Sequence, residues 1–294
     1  MVPSRKYIPY LFILPSLILI LIFSYFSVGY SIYASFTDLK LGYKTNFVGF
    51  DNYIRLLSDP VFLKALSNQL KLLVFDVVKF AFFPLLAAEL LYFVRNPRIS
   101  GTFKRLFIFP MLVPAMVTFL MFANILNPSM GALNAILELV GLENLQHNWL
   151  GDSSTALGSI MFIGFPFVSG LYFLIFHAGL NNIPKELIES AQIDGCTSRQ
   201  IVRYIHLPLV RVYIGTTTML VVISSLQDYV KILVTTGGGP DGFSTFTPAV
   251  MLYKKAFEAG KMGYASSVGV VMFIVIMALT IISFKVSQIK EEDN

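Results

Sequence analysis

The stretch Glu189-Ser190-Ala191-Gln192-Ile193-Asp194-Gly195, followed by Ile205-His206-Leu207-Pro208, decides how this chain is read. It lies in a polar island, residues 184–208, between two strongly apolar runs. Pro184 suits the first turn of a helix, where its missing N–H removes no bond. Glu186 and Glu189 stand early in that helix, where they complement its dipole. Gly195 can end it in the left-handed conformation. Thr197 or Ser198 can then cap a second helix, which must stop before Pro208. Leu187 and Ala191 share a face, and the small Ala191 and Gly195 allow close approach by a partner. An amphipathic helix lying on lipid sets Lys and Arg opposite bulky apolar residues. This one is acidic with small residues, so the island reads as a docking element gripped from the cytoplasm.

The chain around it is built for lipid. Apolar residues make up 55% of its 294 residues and charged ones 13%, against about 25% charged in a soluble domain. Mean hydropathy is +0.71. Apolar runs occupy residues 8–30, 66–93, 106–126, 157–176, 212–234 and 265–284. Each is near the ~20 residues that a helix needs to cross the hydrocarbon core. The fold class predicted is therefore an all-α polytopic membrane protein of about six transmembrane helices, with one membrane domain over residues 1–294. The island forms the loop between spans four and five. Arg5 and Lys6 precede a long aromatic run with no small-residue cleavage site, so the first run is read as a retained span.

Basic residues set the orientation. With both termini inside, twelve Lys and Arg fall on the cytoplasmic side and eight outside, which favours N-in, C-in. The net charge of +5 then reflects topology, and no nucleic-acid partner is implied. Lys254, Lys255 and Lys261, in the last outer loop, run against this bias. The middle outer loop, residues 127–156, has no Lys or Arg. It can hold a short helix over 132–140 and an interface anchor, Trp149. The last outer loop opens with Gly237-Gly238-Gly239-Pro240. The single cysteine, Cys196, excludes an intrachain disulfide framework.

The spacing Glu-x-Ala-x-x-Asp-Gly, nine residues, then Ile-x-Leu-Pro resembles the EAA motif of the inner-membrane permease subunits of binding-protein-dependent ABC importers. Ser190 and Cys196 stand where the family usually has Ala, and Val202 replaces a frequent aromatic. The resemblance implies an ATPase-coupling role for Glu186, Glu189, Ala191, Asp194, Gly195, Ile205, Leu207 and Pro208. Asp228-Tyr229-Val230-Lys231 leading into Gly237-Gly238-Gly239-Pro240 looks like the end of span five in the sugar branch. Tyr253-Lys254-Lys255-Ala256-Phe257, Gly263-Tyr264-Ala265-Ser266-Ser267 and Gly49-Phe50-Asp51-Asn52-Tyr53 fit the same branch, which includes maltose and glycerol-phosphate importers. The resemblance implies import of a carbohydrate, polyol or sugar phosphate across a bacterial or archaeal cytoplasmic membrane. It implies as partners a second homologous permease, two ATPase subunits, an extracytoplasmic binding protein and membrane lipid. ATP and Mg would sit on the ATPases.

Charges inside spans are costly and normally face a cavity or a partner. Asp76 and Lys79 are three apart on span two, as are Asp228 and Lys231 on span five. Each pair can neutralise itself on one helix face, as a structural bridge or as part of a solute path. Ser224, Gln227, Asp228 and Lys231 recur at helical steps and mark a polar stripe. With Tyr229, Asp76, Lys79 and Asn124 they form the candidate substrate path. Glu89 is expected to meet Arg95 or Arg98.

No phosphate loop is present, so the chain itself is expected to bind no ATP or other cofactor. His147, His177 and His206 lack metal-ligand spacing. No nucleophile has a credible base, which argues against an intramembrane enzyme. His206 occupies a variable position of the motif, and a general-base role there is not expected. A stand-alone secondary transporter or channel would show broken helices and an inverted repeat, and it leaves the docking motif unexplained. A permease for a non-sugar solute is the other alternative.

Overall fold

The structure is a computed structural model and describes residues 8–292; Arg5 and Lys6 lie outside them. Every regular element among the described residues is helical, apart from one isolated bridge between Thr37 and Phe47. In chain order the helices are α1 (Ile8–Ile20), α2 (Ser27–Ser35), α3 (Asp51–Leu57), α4 (Pro60–Tyr92), α5 (Pro97–Ile108), α6 (Ala115–Ile125), α7 (Ala132–Leu139) and α8 (Ala156–Phe162). They continue as α9 (Gly170–Asn181), α10 (Lys185–Ile193), α11 (Ser198–Ile201), α12 (Leu207–Gln227), α13 (Val230–Thr235), α14 (Pro248–Tyr253) and α15 (Met262–Glu292).

Among the described residues, three helices are long and apolar enough to cross a membrane: Tyr10–Ser35, Ser198–Gln227 and Met262–Ser283. Pro97–Leu112 and Ala115–Ile125 make a fourth when taken together, bent by 95°. The bend is where Pro110 and Pro114 stand, and neither can donate a backbone hydrogen bond. The runs read as spans at 106–126, 157–176 and 212–234 are each broken. The second of these divides into α8 and α9 around residues 163–169, which contain a cis Phe165–Pro166 bond and Phe167 at φ 67°. The third breaks at Asp228, whose ψ of 105° leaves the helical region. Composition registers apolar length; it does not register where prolines and polar residues interrupt the ladder.

The chain forms two compact units, Met1–Phe62 with Met251–Phe273, and Leu63–Val250 with Ile274–Asn294. In the first, α1 is apolar all round and exposed, as a lipid-facing helix is. Asn52, from the Gly49–Tyr53 stretch, is buried and donates its amide to Ser35 O at 2.9 Å and Thr37 O at 2.8 Å. That bond pair ties α3 to the end of α2.

In the second unit, Phe173, Phe176 and Leu180 of α9 pack with Ala88 and Leu91 of α4 and Val210 and Val221 of α12. Gly179 admits the Tyr213 ring; a Cβ there would lie 2.7 Å from Tyr213 Cδ2. Tyr213 in turn accepts from Asn182 Nδ2 at 3.1 Å. Within the expected loop helix, α7, Asn134 accepts from Trp149 Nε1 at 2.8 Å and donates to Pro128 O and His147 O. Trp149 organises that loop through this bond.

Candidate functional site

Residues 184–208 form one short helix, α10, and the start of a long one on the surface of the second unit. Pro184 is the N-cap of α10. Ile188 and Ile201 point inward and are 6% and 2% exposed, joining the core cluster, and Ala191, Cys196 and Ile205 pack against it half-buried. Glu186, Glu189 and Asp194 face outward. So does Ile193, 86% exposed, which the sequence reading missed; its signal is an isoleucine next to the helix-ending Asp-Gly. The segment therefore presents exposed acids on and just after α10, exposed Arg199 and Arg203 on the helix that follows, and an apolar tip, while its other side is anchored.

Both helix ends are closed internally. Cys196 N donates to Ala191 O at 2.9 Å and Gly195 N to Gln192 O at 3.1 Å, the paired bonds of a Schellman motif. Gly195 has φ +80° and open space where a Cβ would stand. Its glycine is required by conformation and not by clearance inside this chain. Thr197 caps α11 in a capping box: Gln200 N donates to Thr197 Oγ1, and Thr197 N donates to Gln200 Oε1 at 2.8 Å.

The second helix does not stop before Pro208. It runs from Ser198 to Gln227 without interruption. Val202–His206 widens to a π turn, with Leu207 N bonded to Val202 O. The wider turn makes room for a proline ring that would clash in a regular helix. Leu207 and Pro208 begin α12 and are exposed.

Glu89 does not meet Arg95 or Arg98. Its Oε2 lies 2.8 Å from Nδ1 of His206, which is wholly buried. Tyr92 packs edge-on against the imidazole and Phe93 stacks on it. The imidazole and the carboxyl group share one hydrogen bond there. His206 is thus a packed structural residue.

The candidate path residues fall into two groups. Asp76, Lys79, Ser224, Asp228 and Lys231 line one cavity of about 490 Å³ with Thr118, Ser225, Phe80 and Tyr172. Gln227, Tyr229 and Asn124 are not among its lining residues. Asn124 instead bonds Leu120 O of its own helix. Gln227 shares α12 with Ser224 but lies off the cavity wall, so three-residue spacing on that helix is too coarse to place it.

Each i,i+3 pair is joined, Asp76 to Lys79 at 2.9 Å and Asp228 to Lys231 at 3.6 Å. The two pairs also meet, with Lys231 3.8 Å from Asp76. Ser225 donates to Asp76 at 2.8 Å, and Lys79 donates to Met161 O and lies over the Phe80 ring at 4.6 Å. Alternating charges in contact offset much of the cost of burying them. Tyr172 was missed by the sequence reading; its only signal is a hydroxyl-bearing aromatic within an apolar run.

The glycine run is a fixed loop. Gly237, Gly238 and Gly239 all have positive φ, and a Cβ on Gly239 would collide with Ser244. Asp241 accepts from Phe243 N and Ser244 N, and those bonds hold its carboxyl below the usual carboxylate range. Buried Asn68 of α4 donates to both Phe243 O and Phe246 O at 3.0 Å.

Residues 80–288 match the family described as binding-protein-dependent transport system inner membrane component. The chain belongs to this family. The match spans the polar segment, the glycine loop and the part of the charged cavity that follows Lys79. As a member, the chain is a multi-pass membrane transport subunit and not an enzyme. It is 32% identical to a probable ABC transporter permease protein, YurN, of Bacillus subtilis (strain 168), over 100% of both chains. It is 31% identical to the diacetylchitobiose uptake system permease protein NgcF of Streptomyces coelicolor, covering 93% of this chain and 80% of the other. The permease fold is shared with a solved bacterial alginate ABC transporter, in complex with alginate pentasaccharide-bound periplasmic protein. That match has a TM-score of 0.85 at 20% identity, covering 95% of this chain and 93% of that one.

Proposed function

We propose that this chain is the permease subunit of an ATP-driven importer for a carbohydrate or related polyol delivered by an extracytoplasmic binding protein. The observation that carries the reading is the segment 184–208: anchored by Ile188 and Ile201, closed at its helix ends, and outwardly acidic around Glu186 and Glu189. Such a surface suits transmission of force from an ATPase. On this reading the chain crosses the membrane about six times, N-in and C-in, with that segment in the cytoplasm. A second permease completes the path, and two ATPase subunits bind ATP and Mg.

The charged cavity supports the solute class. Two carboxylates and two ammonium groups cancel one another, and Ser224, Thr118 and Tyr172 add hydroxyls beside the Phe80 ring. A neutral, hydroxyl-rich solute finds donors, acceptors and an aromatic face there. The names of related permeases, diacetylchitobiose uptake among them, point the same way. Reconstitution tests the reading. Uptake of labelled oligosaccharide into proteoliposomes is expected only when both ATPase and binding protein are supplied. Uptake by this chain alone overturns it.

A further inference from the structure

We propose that residues 38–59 and 255–264 form a receptor pocket for a carboxylate side chain of the extracytoplasmic binding protein, a reading that rests on the function proposed above. The two segments belong to one compact unit and enclose a cavity of about 410 Å³. Four cations line it: Lys40, Arg55, Lys255 and Lys261. Two acids line it as well, but both are already engaged. Asp38 accepts from Asn46 N at 2.6 Å and from Asn46 Nδ2 at 3.0 Å. Asp59 accepts from Val61 N at 2.9 Å and from the Tyr264 hydroxyl at 3.1 Å. Among the described residues, neither acid forms an ion pair with any of the four cations. The pocket therefore holds an excess of positive charge, four cations against two carboxylates that are held by neutral donors.

The walls are preformed. Gly263 N donates to Leu39 O at 3.0 Å, and a Cβ on Gly263 would collide with Thr37 O. Buried Asn52 holds the Thr37 carbonyl from the other side. Lys255 leans toward the Tyr264 ring, 5.8 Å from its centroid. A rigid site loses less freedom when a partner docks.

Topology supplies the independent argument. In the N-in, C-in arrangement these cations lie outside, where the positive-inside bias disfavours them. Their convergence from segments some two hundred residues apart in sequence gives the exception a use. A concave, loop-walled site with a guanidinium fits a bidentate carboxylate, and its field would steer an acidic partner surface toward it.

The test uses the complete importer in nanodiscs of phosphatidylcholine, titrated with its substrate-loaded binding protein. Lys255→Glu with Lys261→Glu is expected to raise the half-saturating binding-protein concentration for ATPase stimulation about tenfold, with a flatter salt dependence and the maximal rate retained. Lys255→Gln with Lys261→Gln, a milder change that preserves assembly, is expected to shift it in the same direction by less. Unchanged half-saturation in both variants overturns the proposal. So does a reduced maximal rate at unchanged half-saturation, which marks a structural role. A defect seen only when phosphatidylglycerol is included assigns the pocket to lipid and overturns it too. Absence of any stimulation in the wild-type complex overturns the proposed function and the pocket with it.

Discussion

Nδ1 of His206 lies 2.8 Å from Oε2 of Glu89, joining the helix that follows the polar segment to α4 across 117 residues of sequence. The pair is enclosed by Tyr92 and Phe93. Its remaining atoms, His206 Nε2 and Glu89 Oε1, have no hydrogen-bond partner among the described residues. All the polar compensation at this site runs through one bond.

Truncating either partner is therefore expected to be costly. His206→Ala or Glu89→Ala should destabilise the protein by about 3 kcal/mol, because the survivor is left buried and alone. Glu89→Leu combined with His206→Phe should recover most of that loss. Thermal unfolding of the purified complex compares them; a Leu/Phe double variant no more stable than the single variants would show that the unpaired partner is not the source of the loss.

Gly195 separates conformation from contact. With φ at +80° and open surroundings, Gly195→Asn is expected to keep near-normal uptake, because Asn tolerates the left-handed region. Gly195→Val should lose it. If Asn fails as completely as Val, clearance against a partner decides the position.

At Glu189 the expected defect is in coupling and not in folding. The side chain is exposed, so Glu189→Ala should insert and purify normally. Where the carboxylate is buried against a basic residue of an ATPase, its loss is expected to weaken subunit association by about 2–5 kcal/mol. Co-purification of the ATPase in unchanged yield, with normal uptake, would rule out that contact.

Cysteine placed along 224–231, in a background lacking Cys196, should divide by position. Ser224→Cys and Asp228→Cys, on the cavity wall, are expected to react with a water-soluble thiol reagent and to be protected by substrate. Gln227→Cys, which faces elsewhere, should show no substrate protection. Protection at Gln227 but not at Ser224 would place the path on the other side of the helix.

Asp76 is central to the charged cluster, touching Lys79, Lys231 and Ser225. Asp76→Ala leaves the buried Lys79 ammonium without its carboxylate and Lys231 with Asp228 alone. A loss of about 3–5 kcal/mol is expected, larger than for Ser225→Ala, and thermal melting compares them directly.

What the sequence made legible follows the range of the interactions involved. The helix stop at Gly195 and the cap at Thr197 are written in neighbouring residues, and so is the pairing of Asp76 with Lys79. The Glu89–His206 bond and the Lys231–Asp76 contact join residues more than a hundred apart, and no periodicity encodes them. The nearby basic residues Arg95 and Arg98 were plausible partners for Glu89 by sequence distance, yet burial selected an imidazole from another helix. Residues 163–169 and the turn at Asp228 show the same limit for spans: hydropathy sums over a window and overlooks the interruption that shapes a cavity.

The closed ends of α10 and α11 bear on the life of the subunit before it meets any partner. The Gly195 and Cys196 amides and the Thr197–Gln200 box close the junction between the two helices from within the segment. On the function proposed above, docking would add contacts without having to join the two helices, and release would leave no broken ladder behind. A newly inserted chain can wait with this surface finished, and attachment can be reversible over repeated cycles at no cost in local unfolding.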